Sequence, residues 1–132
     1  MIISFIGGGA MCEAILKGIL SAESANKTDI TIAEPNNSRR DELVKLYGIK
    51  TTPSNLEAVK SNADIIVLSI KPQVTHIVLD ELRGYINPTQ LLLSIVAGAK
   101  LDTLIKSSGH KSVIRVMPNT PAQIGSGVSV WT

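Results

Sequence analysis

A chain of 132 residues suffices for one domain and leaves little room for a second. With 44% hydrophobic and 18% charged residues it can bury a core, which excludes intrinsic disorder and collagen-like or coiled-coil fibres. The net charge of +2 comes from basic residues scattered between Lys17 and Arg115, and the aromatics are only Phe5, Tyr47, Tyr85 and Trp131, so neither a basic block nor a base-stacking platform points to nucleic acid.

The single cysteine, Cys12, precludes an internal disulfide and a cysteine-based zinc site. His76 and His110 stand far apart without ligand-like spacing, so no metal is expected. The longest apolar stretches, residues 65–70 and 91–99, fall well short of the about 20 residues that cross a membrane. Met1-Ile2-Ile3 is apolar at once with no charged leader region. These features predict a soluble chain of a reducing, cytoplasmic compartment, with no membrane partner.

Residues 2–6 form a compact apolar strand that breaks into Gly7-Gly8-Gly9. Met11, Ala14, Ile15, Gly18 and Ile19 then recur at the spacing of one helix face. Residues 29–33 read as a second strand. Ser38 with Asp41 is the expected cap of a helix carrying Leu43, Val44, Leu46 and Tyr47, which Gly48 ends. Residues 49–51 are a brief third strand, and Ser54-Asn55-Leu56-Glu57 has the form of a capping box for a short helix through Lys60. Residues 64–70 are nearly all apolar, as in a strand covered on both faces. Pro72 suits the first position of a helix continued by Val74, Ile77, Val78 and Leu82. Residues 91–96 form another buried strand, Leu101, Leu104 and Ile105 a short helix, residues 113–117 a sixth strand, and residues 128–131 a last run.

Alternating apolar strands and helices predict an α/β fold: a doubly wound, mainly parallel Rossmann-type sheet with helices on both faces. Such sheets bind ligands beyond the carboxyl ends of their strands. The first turn reads G-x-G-x-x-C. Gly7 permits the tight turn, Gly9 lets backbone approach a pyrophosphate, and the helix start at Ala10 and Met11 offers free N–H groups to phosphate. The alternative is a turn that closes the fold and holds nothing. Cys12 stands where a small residue lets helix and strand pack, and with no partner cysteine or base it reads as packing rather than as a nucleophile.

Glu34 ends the second strand near the position, about 20 residues past the motif, that reads the adenine ribose. A carboxylate there favours the free hydroxyls of NAD. The following Pro35-Asn36-Asn37-Ser38-Arg39-Arg40 points instead to the 2′-phosphate of NADP, unless its arginines merely form a solvated first helical turn. At ~4 Å, repulsion between Glu34 and that phosphate would reach ~4 kcal/mol at an effective dielectric constant of 20. NADP therefore requires Glu34 to turn away or to be neutralised by an arginine, and the sequence leaves both cofactors open.

These residues and three later segments resemble the amino-terminal half of pyrroline-5-carboxylate reductases. The opening Phe5-Ile6-Gly7-Gly8-Gly9-Ala10-Met11-Cys12 is similar to that family's F-I-G-G-G-N-M-A, with Ala10 in place of asparagine and Cys12 in place of alanine. Thr52-Pro53-Ser54-Asn55 resembles a loop whose asparagine meets the ribose side of the cofactor. Ala63-Asp64-Ile65-Ile66-Val67-Leu68-Ser69-Ile70-Lys71-Pro72-Gln73 resembles A-D-V-I-x-L-A-V-K-P-Q, and Ser94-Ile95-Val96-Ala97-Gly98 resembles S-I-A-A-G. Val113-Ile114-Arg115-Val116-Met117-Pro118-Asn119-Thr120-Pro121 resembles V-I-R-x-M-P-N-T-P, followed by Gly125-Ser126-Gly127 where G-x-G is usual.

The resemblance implies hydride transfer from NADPH, or alternatively NADH, to the C=N carbon of pyrroline-5-carboxylate, giving proline. To the contacts read above from Gly7, Gly8, Gly9, Ala10, Met11, Glu34, Asn36 and Arg39 it adds Asn55, then Ile70, Lys71 and Pro72, then Val96 and Ala97, and Asn119 with Thr120 near the nicotinamide. No catalytic side chain is expected, since a protonated imine is already an electrophile. His76 and His110 read as surface residues, Lys71 as a site lysine at a strand end, and Arg115 as a member of a structural ion pair. The resemblance also implies a second, helical domain beyond Thr132 that holds the substrate carboxylate and forms a homo-oligomer. Residues 1–132 are then the dinucleotide-binding domain, inactive alone. The rival readings are a related imine reductase, a hydroxyacid dehydrogenase, and a non-catalytic dinucleotide sensor.

Overall fold

The computed structural model of the chain describes residues 1–118 and 129–131. Strands β1 (Ile3–Ile6), β2 (Ile30–Ala33), β3 (Lys50–Thr52), β4 (Ile65–Leu68), β5 (Leu91–Ser94), β6 (Val113–Pro118) and β7 (Ser129–Trp131) alternate with helices α1 (Ala10–Ser21), α2 (Asn37–Tyr47), α3 (Asn55–Val59), α4 (Thr75–Leu82) and α5 (Leu101–Ser108). They form one sheet of order β3-β2-β1-β4-β5-β6-β7. All pairs are parallel except β6 with β7. The order reverses between β1 and β4, as in the doubly wound class the alternation predicts.

The side-chain alternation of the central strands makes two cores. Ile6, Ile66, Leu68 and Leu92 point to the face covered by α3, α4 and α5, where Ala58, Leu79, Leu82 and Leu104 meet them. Ile3, Phe5, Ile30, Ile32 and Val67 point to the other, against Leu16 of α1 and Leu43 of α2. Both faces of β1 and β4 are therefore dry, and each fully buried Leu or Ile contributes roughly 1.5–3 kcal/mol. The serine in β1 is accommodated because Ser4 Oγ donates to Ala58 O at 2.8 Å.

Several boundaries differ from the expected ones, each for a local polar reason. α2 starts one residue before Ser38, because the Asn36 side chain accepts from the Arg39 N–H and is the cap. Pro72 opens a short 3-10 turn, Pro72–Val74, and α4 begins only at Thr75. β4 stops at Leu68 and β5 at Ser94, short of the apolar runs that contain them. Only half of the expected capping box forms: Ser54 Oγ accepts from the Glu57 N–H at 3.2 Å, while the Ser54 N–H and the Glu57 carboxylate both turn to the Thr52 hydroxyl instead of to each other.

Two side chains are corrected outright. His110 is buried, not on the surface: its Nε2 lies 2.7 Å from Gln90 O, and since a carbonyl only accepts, Nε2 carries the proton. Gln90 in turn donates to Val59 O and Ala63 O, so this polar chain fastens the loops at the amino-terminal edge. Arg115 makes no ion pair among the described residues; its Nη2 donates to Met117 Sδ at 3.0 Å. No helix among the described residues is long and apolar enough to cross a membrane.

Candidate cofactor site

The sheet register sets Ile6 beside Ala33 and Leu68, Leu68 beside Ser94, and Ala33 beside Thr52. The chain just past each of these residues therefore emerges along one edge. Gly7, Glu34, Ser69-Ile70 and Ile95-Val96 share that edge, centred on the switch point between β1 and β4.

Gly7 has φ +103, and a Cβ there would stand 2.5 Å from Ser69 O. Its N–H donates to Ala33 O, while Ser69 Oγ donates to Gly7 O at 2.7 Å and to Ile6 O at 3.2 Å. Ser69 is thus a brace of the turn that the sequence pattern does not single out; a lone serine ending an apolar strand is its only signal. Gly8 is buried, its would-be Cβ 3.0 Å from Leu43 Cδ1. Gly9 differs from both: it is exposed and a Cβ would meet nothing within 4 Å. It caps α1, whose first N–H groups, including those of Ala10 and Met11, have no intrahelical partner and carry the positive end of the helix dipole. A turn that is tight at Gly7 and open at Gly9 fits an approaching anion.

Glu34 faces this turn. Its Oε1 accepts from the Gly8 N–H at 3.1 Å and its Oε2 from the Asn36 N–H at 2.9 Å. Asn36 is used as the helix cap. The neighbouring arginines are not a solvated helical turn, for both bind main chain. Arg39 donates from Nε to Gly8 O at 2.6 Å and from Nη2 to Glu13 Oε2 at 2.8 Å and Gly9 O at 3.4 Å, with Nη1 on Glu42. Arg40 donates to Glu34 O and Pro35 O at 2.7 and 2.9 Å.

Glu13 is a second residue that sequence reasoning missed. One turn into α1, it accepts from Tyr47 Oη and Arg39, which hold its carboxyl below the usual range. Burial, and then Glu13, push the Tyr47 hydroxyl up to about 12. A depressed carboxyl stabilises the fold above its unfolded pKa, and the contribution is lost as pH falls through the folded one. Glu13→Gln is therefore expected to cost on the order of 1 kcal/mol at pH 7 and to flatten the loss of stability between about pH 5 and 3. Urea midpoints measured across that range check this, and parallel profiles for the two proteins would contradict it.

Cys12 packs in the core under the turn and is fully buried. Burial raises its thiol to about 12, against a smaller opposing effect of Ser69. The packing reading then predicts that Ellman's reagent labels the native chain at least ~100-fold more slowly than the urea-unfolded chain. Comparable rates would show an accessible thiol.

At the other end of the edge, Ile70 is half-buried with its Cγ2 3.0 Å from the Gly7 Cβ position, and Lys71 is exposed, without an ion pair among the described residues. Pro72, Val96 and Ala97 meet in a cavity of about 380 Å³ that Thr75, His76 and Leu79 also line. Ser94 Oγ accepts from the Val96 N–H and fixes that turn. Asn55 follows β3 on the same edge, and its amide donates to Glu81 Oε2 at 3.2 Å, which ties α3 to α4. Asn119, Thr120 and the Gly125-Ser126-Gly127 segment lie outside the described residues.

The comparisons with known proteins agree with this geometry. The chain is 39% identical over 127 residues to a pyrroline-5-carboxylate reductase of Synechocystis, covering 96% of this chain and 47% of that protein. It superposes on a pyrroline-5-carboxylate reductase structure from Coxiella burnetii with TM-score 0.91 and 30% identity, over 98% of this chain and 48% of that one. A Plasmodium falciparum pyrroline carboxylate reductase solved with NADP bound gives TM-score 0.84 at 28% identity, over 100% and 47% of the two chains. The chain thus spans about half the length of the curated relatives it matches. Residues 2–98 match the family described as NADP oxidoreductase coenzyme F420-dependent, and with the strand order, the glycine turn and these relatives in agreement, the chain belongs to that family.

Proposed function

We propose that this chain is the dinucleotide-binding part of a pyrroline-5-carboxylate reductase, which reduces the C=N bond of 1-pyrroline-5-carboxylate to proline with NADPH or NADH. The observation that carries the reading is the single edge on which an open Gly9, the Glu34 carboxylate against the glycine turn and the ends of β4 and β5 converge. Curated relatives 39% and 35% identical to this chain over almost all of it are pyrroline-5-carboxylate reductases.

When bound, the cofactor supplies the hydride. The chain's own residues hold and orient it: the turn at Gly7, Gly8 and Gly9 and the N–H groups of Ala10 and Met11 take the pyrophosphate, and Glu34 the adenine ribose. Asn36 and Arg39 shape that end, Asn36 by capping α2 and Arg39 by binding the turn carbonyls. Asn55 borders the ribose side. Ile70, Pro72, Val96 and Ala97 line the nicotinamide side as apolar walls that exclude water, with the exposed Lys71 beside them, and the motif resemblance alone adds Asn119, which lies outside the described residues. No side chain in this arrangement is required as an acid or base, because the substrate is electrophilic once its ring nitrogen is protonated, and alignment supplies most of the acceleration.

The substrate-carboxylate pocket and the contacts of a homo-oligomer belong, in this proposal, to the part of the relatives that this chain does not span. Calorimetric titration of the 132-residue chain with NADPH and NADH tests the reading. Saturable binding supports it, and no binding of either removes it. Robust proline formation by the chain alone would show that the substrate pocket lies within it.

A further inference from the structure

We infer that Glu13 is a positioning residue for dinucleotide binding: together with Tyr47 it holds Arg39 on the carbonyl side of the glycine turn and so aims the turn's N–H groups at the ligand. The inference rests on the cofactor reading above and deepens it by naming two side chains, Glu13 and Tyr47, that act on the site without touching the ligand.

The first ground is the geometry of the turn. Arg39 donates from Nε to Gly8 O at 2.6 Å and from Nη2 to Gly9 O at 3.4 Å. The peptide units here are trans, so each carbonyl and the N–H of the same unit point in opposite directions. With Gly8 O and Gly9 O drawn towards the guanidinium, the Gly9 and Ala10 N–H groups face away from it. Gly9 and Ala10 are both exposed, and the Gly9 N–H has no hydrogen-bond acceptor among the described residues. Fixing the two carbonyls fixes two donors for an anion before the anion arrives, and a site so preorganised loses less freedom on binding.

The second ground is what holds Arg39 there. Its Nη2 also donates to Glu13 Oε2 at 2.8 Å, and the Glu13 and Arg39 side chains are each only 20% exposed. Glu42, the other carboxylate on this guanidinium, is 55% exposed, so its pair is the more screened of the two. The Glu13 N–H donates to Gly9 O at 3.0 Å, so main chain and side chain of one residue close a ring with Arg39 around that carbonyl. Tyr47 Oη donates to Glu13 Oε1 and fixes the carboxylate from the far end of α2. A carboxylate has an acceptor oxygen for each of these two donors, whereas an amide has one.

Two other roles are open to Glu13, and affinity separates them. As a bolt between α1 and α2 alone, it would contribute to stability and leave the Kd of the folded chain unchanged. As a bare negative charge in the first turn of α1, it would oppose an incoming anion, and its removal would tighten binding. A positioning role has the opposite sign.

The test is calorimetric Kd measurement for NADPH and NADH, at a temperature well below each thermal midpoint. The proteins compared are the wild-type chain, Glu13→Gln, Tyr47→Phe, Arg39→Gln and the double variant of Glu13→Gln with Arg39→Gln. Glu13→Gln is expected to weaken both dinucleotides roughly fivefold or more, and Tyr47→Phe roughly twofold to threefold. Because Glu13 acts through Arg39, the double variant should bind no more weakly than Arg39→Gln alone. Unchanged or tighter binding by Glu13→Gln overturns the inference, as does a double variant whose loss is the product of the two single losses. If Glu13→Gln does not fold, Tyr47→Phe decides, and a Kd equal to that of the wild type overturns the inference. Binding of neither dinucleotide by a folded wild-type chain sinks the cofactor reading itself, and the inference with it.

Discussion

Valine at Gly9 is expected to abolish dinucleotide binding while leaving the fold in place. Gly9 has φ −79 and ψ −169, an extended conformation open to any residue. A Cβ there meets no atom within 4 Å, so the new side chain starts in open space. The remaining cost is that of a poorer helix cap, about 1 kcal/mol, or a few degrees in thermal midpoint. In the proposed site the same open space is where the backbone meets the pyrophosphate, and a branched side chain fills it. The expected outcome is at least ~100-fold weaker binding of both NADH and NADPH at a nearly unchanged midpoint. Undiminished affinity in Gly9→Val would move the cofactor away from this turn.

Alanine at Gly7 should do the reverse and damage the fold directly. The backbone there has φ +103, which side chains rarely adopt, and the new Cβ would stand 2.5 Å from Ser69 O. The obstructing atom is main chain, fixed because Ser69 N–H donates to Ile6 O and its hydroxyl to Gly7 O. Backbone strain of about 1–3 kcal/mol adds to an overpacking cost of similar size. A loss of roughly 3 kcal/mol or more is a large share of the roughly 5–15 kcal/mol that stabilises an ordinary domain. We expect the thermal midpoint to fall by about 10 °C. A midpoint within a degree or two of wild type would show that β1 and β4 can separate at their carboxyl ends. Two glycines two residues apart in one motif thus have opposite consequences, and only the neighbouring strand end decides which is which.

Much of the cofactor edge is legible in the amino-acid sequence. The strand, turn and helix around Gly7, the apolar runs of β4 and β5 and the glutamate past β2 are local patterns of period and composition, and they sit where the alternation of elements requires. Boundaries are less legible where polar side chains compete for the same backbone. Asn36 and Ser38 are both good caps, and Asn36 prevails because its oxygen reaches the Arg39 N–H. The polar segment around Ser107, Ser108 and Gly109 has the composition of a surface loop, yet it delivers His110 to a buried carbonyl of Gln90.

Residue order suffices for the class of fold, for its doubly wound arrangement through the handedness of the crossovers, and for the strand-end edge proposed as the cofactor site. These follow from short-range rules: apolar periodicity, turn-forming residues and the right-handed βαβ connection. Which partners the charged residues take is a matter of tertiary packing alone. Arg39 meets Glu13 because α1 and α2 cover the same face of the sheet, and Tyr47 reaches that carboxylate from the far end of α2. With Arg39 on the glycine turn and Arg40 on the Glu34 carbonyl, no ion pair among the described residues includes the Glu34 carboxylate. Each outcome is set by distances between elements far apart in the chain, and a pattern of residue types holds no information about those distances.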